Sequence, residues 1–154
     1  MEAGLLEPLL IHKTQAMLSQ LVYVSNRNAN CSAQEIDKII ESCKRNNPPL
    51  NITGVLLYSE KKFIQLVEGD AKLIMNLYDK IKKDPRHSNA IMISYNPIAE
   101  KSFPSWHMAK RDITNTDLQF QTDISDEDKK VFNIILSGKE ESGQKVLNLL
   151  KKFF

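Results

Sequence analysis

The chain has 154 residues, 42% hydrophobic and 26% charged, an ordinary globular composition with room for one compact domain and a short appendage. Twenty-one Lys and Arg against nineteen Asp and Glu leave a net charge of +2, which gives no electrostatic footprint for a nucleic-acid or membrane-surface partner. The absence of a long uncharged apolar run excludes a membrane-spanning helix, and Cys31 and Cys43, with no CxxC pair, are too few for a disulfide framework, so a cytosolic setting is expected.

Residues 1–16 stand apart. Leu5, Leu6, Leu9, Leu10 and Ile11 are interrupted by Glu7 and Pro8, and no basic residue precedes them, so they do not read as a secretory signal. They are taken as an N-terminal extension or tag remnant. From Leu18 to Ser25 a continuous apolar run predicts a buried strand. Ser32 and Glu35 have the spacing of a capping box, and Ile36, Ile39, Ile40 and Cys43 recur at helical spacing until Asn46-Asn47-Pro48-Pro49 ends the helix. Residues 52–59 and 62–68 read as a hairpin around Glu60-Lys61. Asp70 caps a second helix carrying Leu73, Ile74, Leu77, Tyr78 and Ile81. Strands are predicted at Ile91–Tyr95 and around Trp106–Ile113.

Two strand–helix crossovers around one hairpin predict a ferredoxin-like α+β sandwich, β-α-β-β-α-β-β, with a five-stranded mixed sheet and two helices on one face. Residues 17–112 make this domain, and 113–154 a helical appendage. Ser125 and Asp128 open one helix of the appendage, which Gly138 can close. The other carries Val146, Leu147, Leu149, Leu150, Phe153 and Phe154, a stripe apolar enough that it must dock.

No nucleophile–base constellation, Gly-rich phosphate loop or zinc-ligand spacing is present. Carboxylates such as Glu35, Glu41, Asp79 and Asp84 fall at polar helix positions, and Lys80, Lys82 and Lys83 read as a surface charge run or an anion contact. One residue is out of place. Alternation along Phe63-Ile64-Gln65-Leu66-Val67 puts Gln65 on the face of Phe63 and Val67, and an unpaired buried amide costs roughly 1–3 kcal/mol. Its partner is a neighbouring side chain or a ligand between sheet and helices. Tyr23, inside an apolar strand, needs a partner for its hydroxyl too.

Leu21-Val22-Tyr23-Val24-Ser25, Arg45-Asn46-Asn47-Pro48 and Asn51-Ile52-Thr53-Gly54-Val55-Leu56-Leu57-Tyr58 resemble the opening of a BLUF domain, the blue-light sensor using FAD. Phe63-Ile64-Gln65-Leu66-Val67-Glu68-Gly69, Asp84-Pro85-Arg86-His87 and Ser105-Trp106-His107-Met108 continue the resemblance in order, from Met17 to Asp112. It implies a flavin ring between the two helices, with Ile39, Cys43 and Ile81 along its faces, although plain core packing suits these three equally. Asn46 and Asn47 match residues that hold the polar edge of the ring. Lys80 matches a basic position near the C2 carbonyl, Asp84 a polar contact further along, and Arg86 and His87 face the ribityl-phosphate tail. FMN or riboflavin can stand in for FAD.

The resemblance implies a photoactive set of Tyr23, Gln65, Trp106 and Met108. Gln65 bridges the Tyr23 hydroxyl to the flavin, and light rearranges these bonds. Trp106 and Met108, on the last strand, are alternatives for the position facing the site. The reading is therefore a photoreceptor, not an enzyme, acting on an unidentified downstream protein and forming a homo-oligomer, without nucleic acid or membrane. A flavin-dependent oxidoreductase, which would need a substrate base or nicotinamide fingerprint, and a flavin-free ferredoxin-like interaction module are its rivals.

Overall fold

The computed structural model describes residues 17–113 and 125–154; the expected N-terminal extension, residues 1–16, lies outside them. Strand β1 (Leu18–Arg27) leads to helix α1 (Ala33–Asn46), a 3-10 turn at Pro48–Leu50, and the hairpin β2 (Thr53–Tyr58) and β3 (Lys62–Asp70). Helix α2 (Ala71–Lys82), β4 (His87–Pro97) and β5 (Ala109–Asp112) follow, then α3 (Asp126–Leu136) and α4 (Gly143–Lys151). The sheet order is β4-β1-β3-β2-β5. Every neighbouring pair is antiparallel except β2 and β5, so the expected mixed ferredoxin-like sheet is what forms.

Local chemistry explains the boundaries. Ser32 Oγ accepts the Glu35 N–H at 3.3 Å to start α1, but the return arm of a capping box is absent because Glu35 turns to Lys38 and Arg86. Asp70 Oδ2 accepts from the N–H groups of Lys72 and Leu73 at 3.1 and 3.2 Å. Ser125 and Asp128 close both arms of their box, and Asp128 also receives Lys152 from the end of α4. Gly138, at φ 76°, provides the left-handed residue that ends α3. Gly54 lets β2 and β3 approach, since a Cβ there would meet the Leu66 carbonyl oxygen at 2.0 Å.

Two strands differ from expectation. β4 begins at His87 instead of Ile91, because the polar His87-Ser88 segment pairs with Arg27 and Asn26 across a register shift. β5 begins at Ala109 instead of Trp106, so Trp106 and Met108 lie in the preceding loop, not on the strand. Ser102 and Phe103 donate their backbone N–H groups to the Glu68 carboxylate, Pro104 has no donor, and Trp106 N–H turns back to the Phe103 carbonyl. These groups are thereby withdrawn from a ladder.

Both faces of the sheet are covered, which is why its central strands read as unbroken apolar runs. Leu21, Tyr23, Leu56, Phe63 and Val67 face α1 and α2 with Ile36, Ile40, Ile74 and Tyr78. Val22, Val24, Val55, Leu57, Ile64 and Leu66 face Val131, Phe132, Ile135, Val146, Leu149 and Leu150 of α3 and α4. The apolar tail stripe is therefore docked on its own sheet. Deleting residues 139–154 should uncover the far face and turn a discrete species into self-associating material, which size-exclusion chromatography with light scattering will detect.

Candidate functional site

The sandwich is not closed between its two helices. A cavity of about 220 Å³ opens there, walled by Ile39, Ser42 and Cys43 of α1 and Leu77, Lys80 and Ile81 of α2. Tyr23, Leu56, Phe63 and Gln65 form its floor on the sheet, and Asp84, Arg86 and His87 its rim. Helical spacing brings the α1 and α2 residues onto facing stripes, and the adjacency of β1 and β3 brings Tyr23 opposite Gln65.

The floor carries the polar pair. Tyr23 Oη donates to Gln65 Oε1 at 2.6 Å, with both side chains buried. Among the described residues, the partner of Gln65 Nε2 is the Met108 thioether sulfur, at 3.4 Å, and sulfur is a weak acceptor. The amide is thus fully engaged on its oxygen and poorly engaged on its nitrogen, at the wall of a cavity. Burial holds the Tyr23 phenol well above its ordinary range, which keeps the hydroxyl proton in place.

The structure sorts the expected residues. Tyr23, Ile39, Cys43, Gln65, Lys80, Ile81, Asp84, Arg86 and His87 all line the cavity. Asn46 does not; it is exposed and its Nδ2 reaches Ser42 Oγ. Asn47 is buried at the C-cap of α1, behind the wall, where its Nδ2 donates to the His107 carbonyl at 2.9 Å. Of the three rim residues His87 is the buried one, 8% exposed. It is buried beside the Tyr23 and Phe63 rings, with Nδ1 against Ser25 Oγ at 2.7 Å and Nε2 against the Ile81 carbonyl.

Asp84 is held by Arg86 through Nη2–Oδ2 at 2.6 Å and Nε–Oδ1 at 2.9 Å, and that guanidinium lowers its pKa. Lys80, exposed at the rim, forms no ion pair among the described residues. Met108 is turned inward to Gln65, while Trp106 stacks on Phe103 at 5.4 Å and meets Phe154 at 5.5 Å. Four wall residues were not singled out from the sequence: Ser42, Leu56, Phe63 and Leu77. Ser42 and Leu77 are one helical turn from Ile39 and Ile81, and Leu56 is the register partner of Gln65, so spacing and pairing carried the signal.

Among the described residues no group of three or more His, Cys, Asp and Glu is placed to hold a metal ion, and no helix is long and apolar enough to cross a membrane. The site is a slot of about 220 Å³ with an amide at its floor and cations at its rim, which defines the class: a ferredoxin-like fold with a cavity for a small ligand. Comparison with known proteins gives the family. The family described as sensors of blue light using FAD matches residues 18–109, and the chain belongs to it.

The β subunit of a photoactivated adenylate cyclase from Euglena longa is 34% identical over 105 residues, 68% of this chain and 12% of the relative. The blue light- and temperature-regulated antirepressor BluF of Escherichia coli (strain K12) is 32% identical over 75 residues, 49% of this chain and 19% of the relative. The chain thus spans a small part of these curated relatives. Among solved structures, dark-state BlrB, a BLUF protein, is 31% identical with a TM-score of 0.61, covering 64% of this chain and 74% of that one. The photo-activated state of BlsA is 25% identical with a TM-score of 0.68, covering 89% and 94%.

Burial also pushes the Cys43 thiol up to about 11, so the nucleophilic thiolate is scarce near neutrality. With the ligand-free protein at pH 8, a disulfide-exchange reagent should modify Cys43 roughly a hundredfold more slowly than a free thiol of ordinary pKa. Denaturation should abolish the difference.

Proposed function

We propose that this protein is a blue-light photoreceptor domain that holds FAD in the cavity between α1 and α2 and signals by a hydrogen-bond rearrangement, without a catalytic step. The observation that carries this reading is the Tyr23–Gln65 hydrogen bond at 2.6 Å on the cavity floor. The residues present fit a flavin. Apolar side chains from two helices offer faces for a planar ring, and Gln65 Nε2, with only a thioether partner among the described residues, has hydrogen-bonding capacity to give a ring heteroatom. Lys80 and Arg86 stand at the rim for carbonyl or phosphate oxygens. Asn47 supports the polar edge from behind Cys43 by tying α1 to residues 107–108. The cavity encloses room for the ring, not for the dinucleotide tail, so FMN and riboflavin are accepted as well.

Excitation by blue light makes a bound flavin a strong oxidant. Tyr23 then holds the proton that matters, on Oη, one short hydrogen bond from Gln65 Oε1. Were the phenol to give an electron to a bound flavin, its Oη proton would pass to Oε1 while Nε2 passed a proton on toward the ring. The electron and a proton would then return to Tyr23 through the amide, leaving it turned or tautomerised with Nε2 released from Met108. Leaving a sulfur acceptor costs little. Reversal in darkness restores the pair, so nothing is consumed. The message leaves by contact with a downstream protein, a homo-oligomer presents the surface, and the setting is the cytosol.

The purified protein should be yellow, release flavin on denaturation, and shift its flavin bands to the red in blue light with recovery in darkness. A preparation left colourless by excess flavin would refute the proposal, and bleaching in place of a shift would favour the oxidoreductase. Tyr23→Phe and Gln65→Leu should each retain flavin and lose the shift, since each preserves packing while removing one end of the bond. Asn47→Ala should retain flavin less well, because a lost hydrogen bond of this kind costs roughly 1–3 kcal/mol.

A further inference from the structure

A second buried polar pair lies on the same two strands. β1 and β3 set Gln20 opposite Glu68 as they set Tyr23 opposite Gln65, and the odd spacing along each strand puts the two pairs on opposite faces. Glu68 is 0% exposed and Gln20 1%, yet neither lines the flavin cavity. Gln20 Nε2 donates to Glu68 Oε2 at 3.0 Å. Ser102 N–H donates to Oε1 and Oε2 at 2.9 and 3.0 Å, and Phe103 N–H to Oε1 at 2.9 Å. The ammonium of Lys101 is turned instead to Asn51. A carboxylate removed from water requires such donors, and here they come mainly from one loop.

That loop returns to the photoactive pair. Its Trp106 carbonyl accepts the Gly54 N–H at 2.8 Å, its His107 carbonyl accepts from Asn47, and its Met108 sulfur accepts from Gln65. Between the clamped end and the site end, Phe103 stacks on Trp106 and packs against Phe154. On the other flank of Glu68, its register partner Thr53 has a buried hydroxyl with no partner among the described residues, a spare donor for the carboxylate when the loop donors move.

We propose that Glu68, oriented by Gln20, is a positioning residue for the light response. It fixes the loop so that Met108 meets Gln65 in darkness, and it links the turn of the Gln65 amide to the Phe103–Trp106–Phe154 contact at the end of the tail. This rests on the photoreceptor reading above. An apolar side chain at position 68 would pack on the same face but leave the Ser102 and Phe103 N–H groups without acceptors, so the loop would have no fixed register.

The test is Glu68→Gln in the full chain, loaded with FAD and compared with wild type. Glutamine keeps the volume but replaces one acceptor oxygen by a donor that faces two other donors. Flavin content should be unchanged, while amide exchange at Ser102 and Phe103 rises roughly tenfold. Dark recovery should slow by roughly threefold or more, because the contact that favours the dark orientation of Gln65 is loosened. A merely structural role would lower thermal stability without moving the recovery rate. Should Glu68→Gln not fold, Gln20→Met, which removes the donor that orients the carboxylate, should slow recovery in the same direction by a smaller factor. Recovery that is unchanged or faster in the folded variant overturns the inference, as does unchanged exchange at Ser102 and Phe103. A wild type that binds flavin but shows no shift refutes the photoreceptor reading itself, and this inference with it.

Discussion

The bond from Tyr23 to Gln65 sets the terms for everything around it. A phenol and a primary amide are placed inside an apolar sheet, where each left alone carries an uncompensated desolvation cost. They satisfy each other only because β1 and β3 are neighbours, and the crossover topology makes them neighbours by inserting β3 of the hairpin between β1 and β2. Once Tyr23 Oη donates to Oε1, the amide nitrogen is forced the other way, toward Met108. The amide is pinned at its oxygen and lightly held at its nitrogen. Such an amide keeps hydrogen-bonding capacity to spare on its nitrogen, at the wall of the cavity.

Much of this was legible in the residues. Periodicity located both helices and the hairpin, alternation put Gln65 on the correct face, and Asp70, Ser125 and Gly138 act as the helix signals they resemble. What was hidden has physical causes. The start of β4 was obscured by His87 and Ser88, polar residues that pair with Arg27 and Asn26 across a register shift on an edge strand, where polar side chains are tolerated. The start of β5 was misplaced because the chain from Ser102 to Met108 takes its hydrogen bonds from Glu68, Gly54 and Asn47, all distant in sequence. A local reading contains no trace of a carboxylate reaching backbone groups on another segment.

The site shows the same division. Residues at helical spacing, such as Ile39, Cys43 and Ile81, line the cavity because a helix face is determined by the sequence around it. The setting of His87 follows instead from two ring contacts, with Ser25 on β1 and the Ile81 carbonyl on α2, that only the folded chain brings together. Whether Trp106 or Met108 turns inward is likewise a tertiary question. The answer follows from competition: Trp106 finds a stack with Phe103 and Phe154 on the far side, while the unbranched Met108 fits the narrow space beside Gln65.

The sheet thus has two differently built faces, and this asymmetry has a consequence for signalling. The far face is packed against α3 and α4 by side chains such as Ile135, Val146 and Leu149, each 0% exposed, so it responds as a block. The near face keeps a cavity, with the Gln65 amide at its floor. A change confined to the near face would remain there if the strands alone carried it, because successive side chains on one strand point to opposite faces. The loop at residues 98–108 escapes that limit. It meets Gln65 at Met108, holds the far-face carboxylate of Glu68 through Ser102 and Phe103, and lies against Phe154 at the end of the tail. A small movement at the amide therefore has a physical route to the helices, through groups whose hydrogen bonds exist in discrete arrangements.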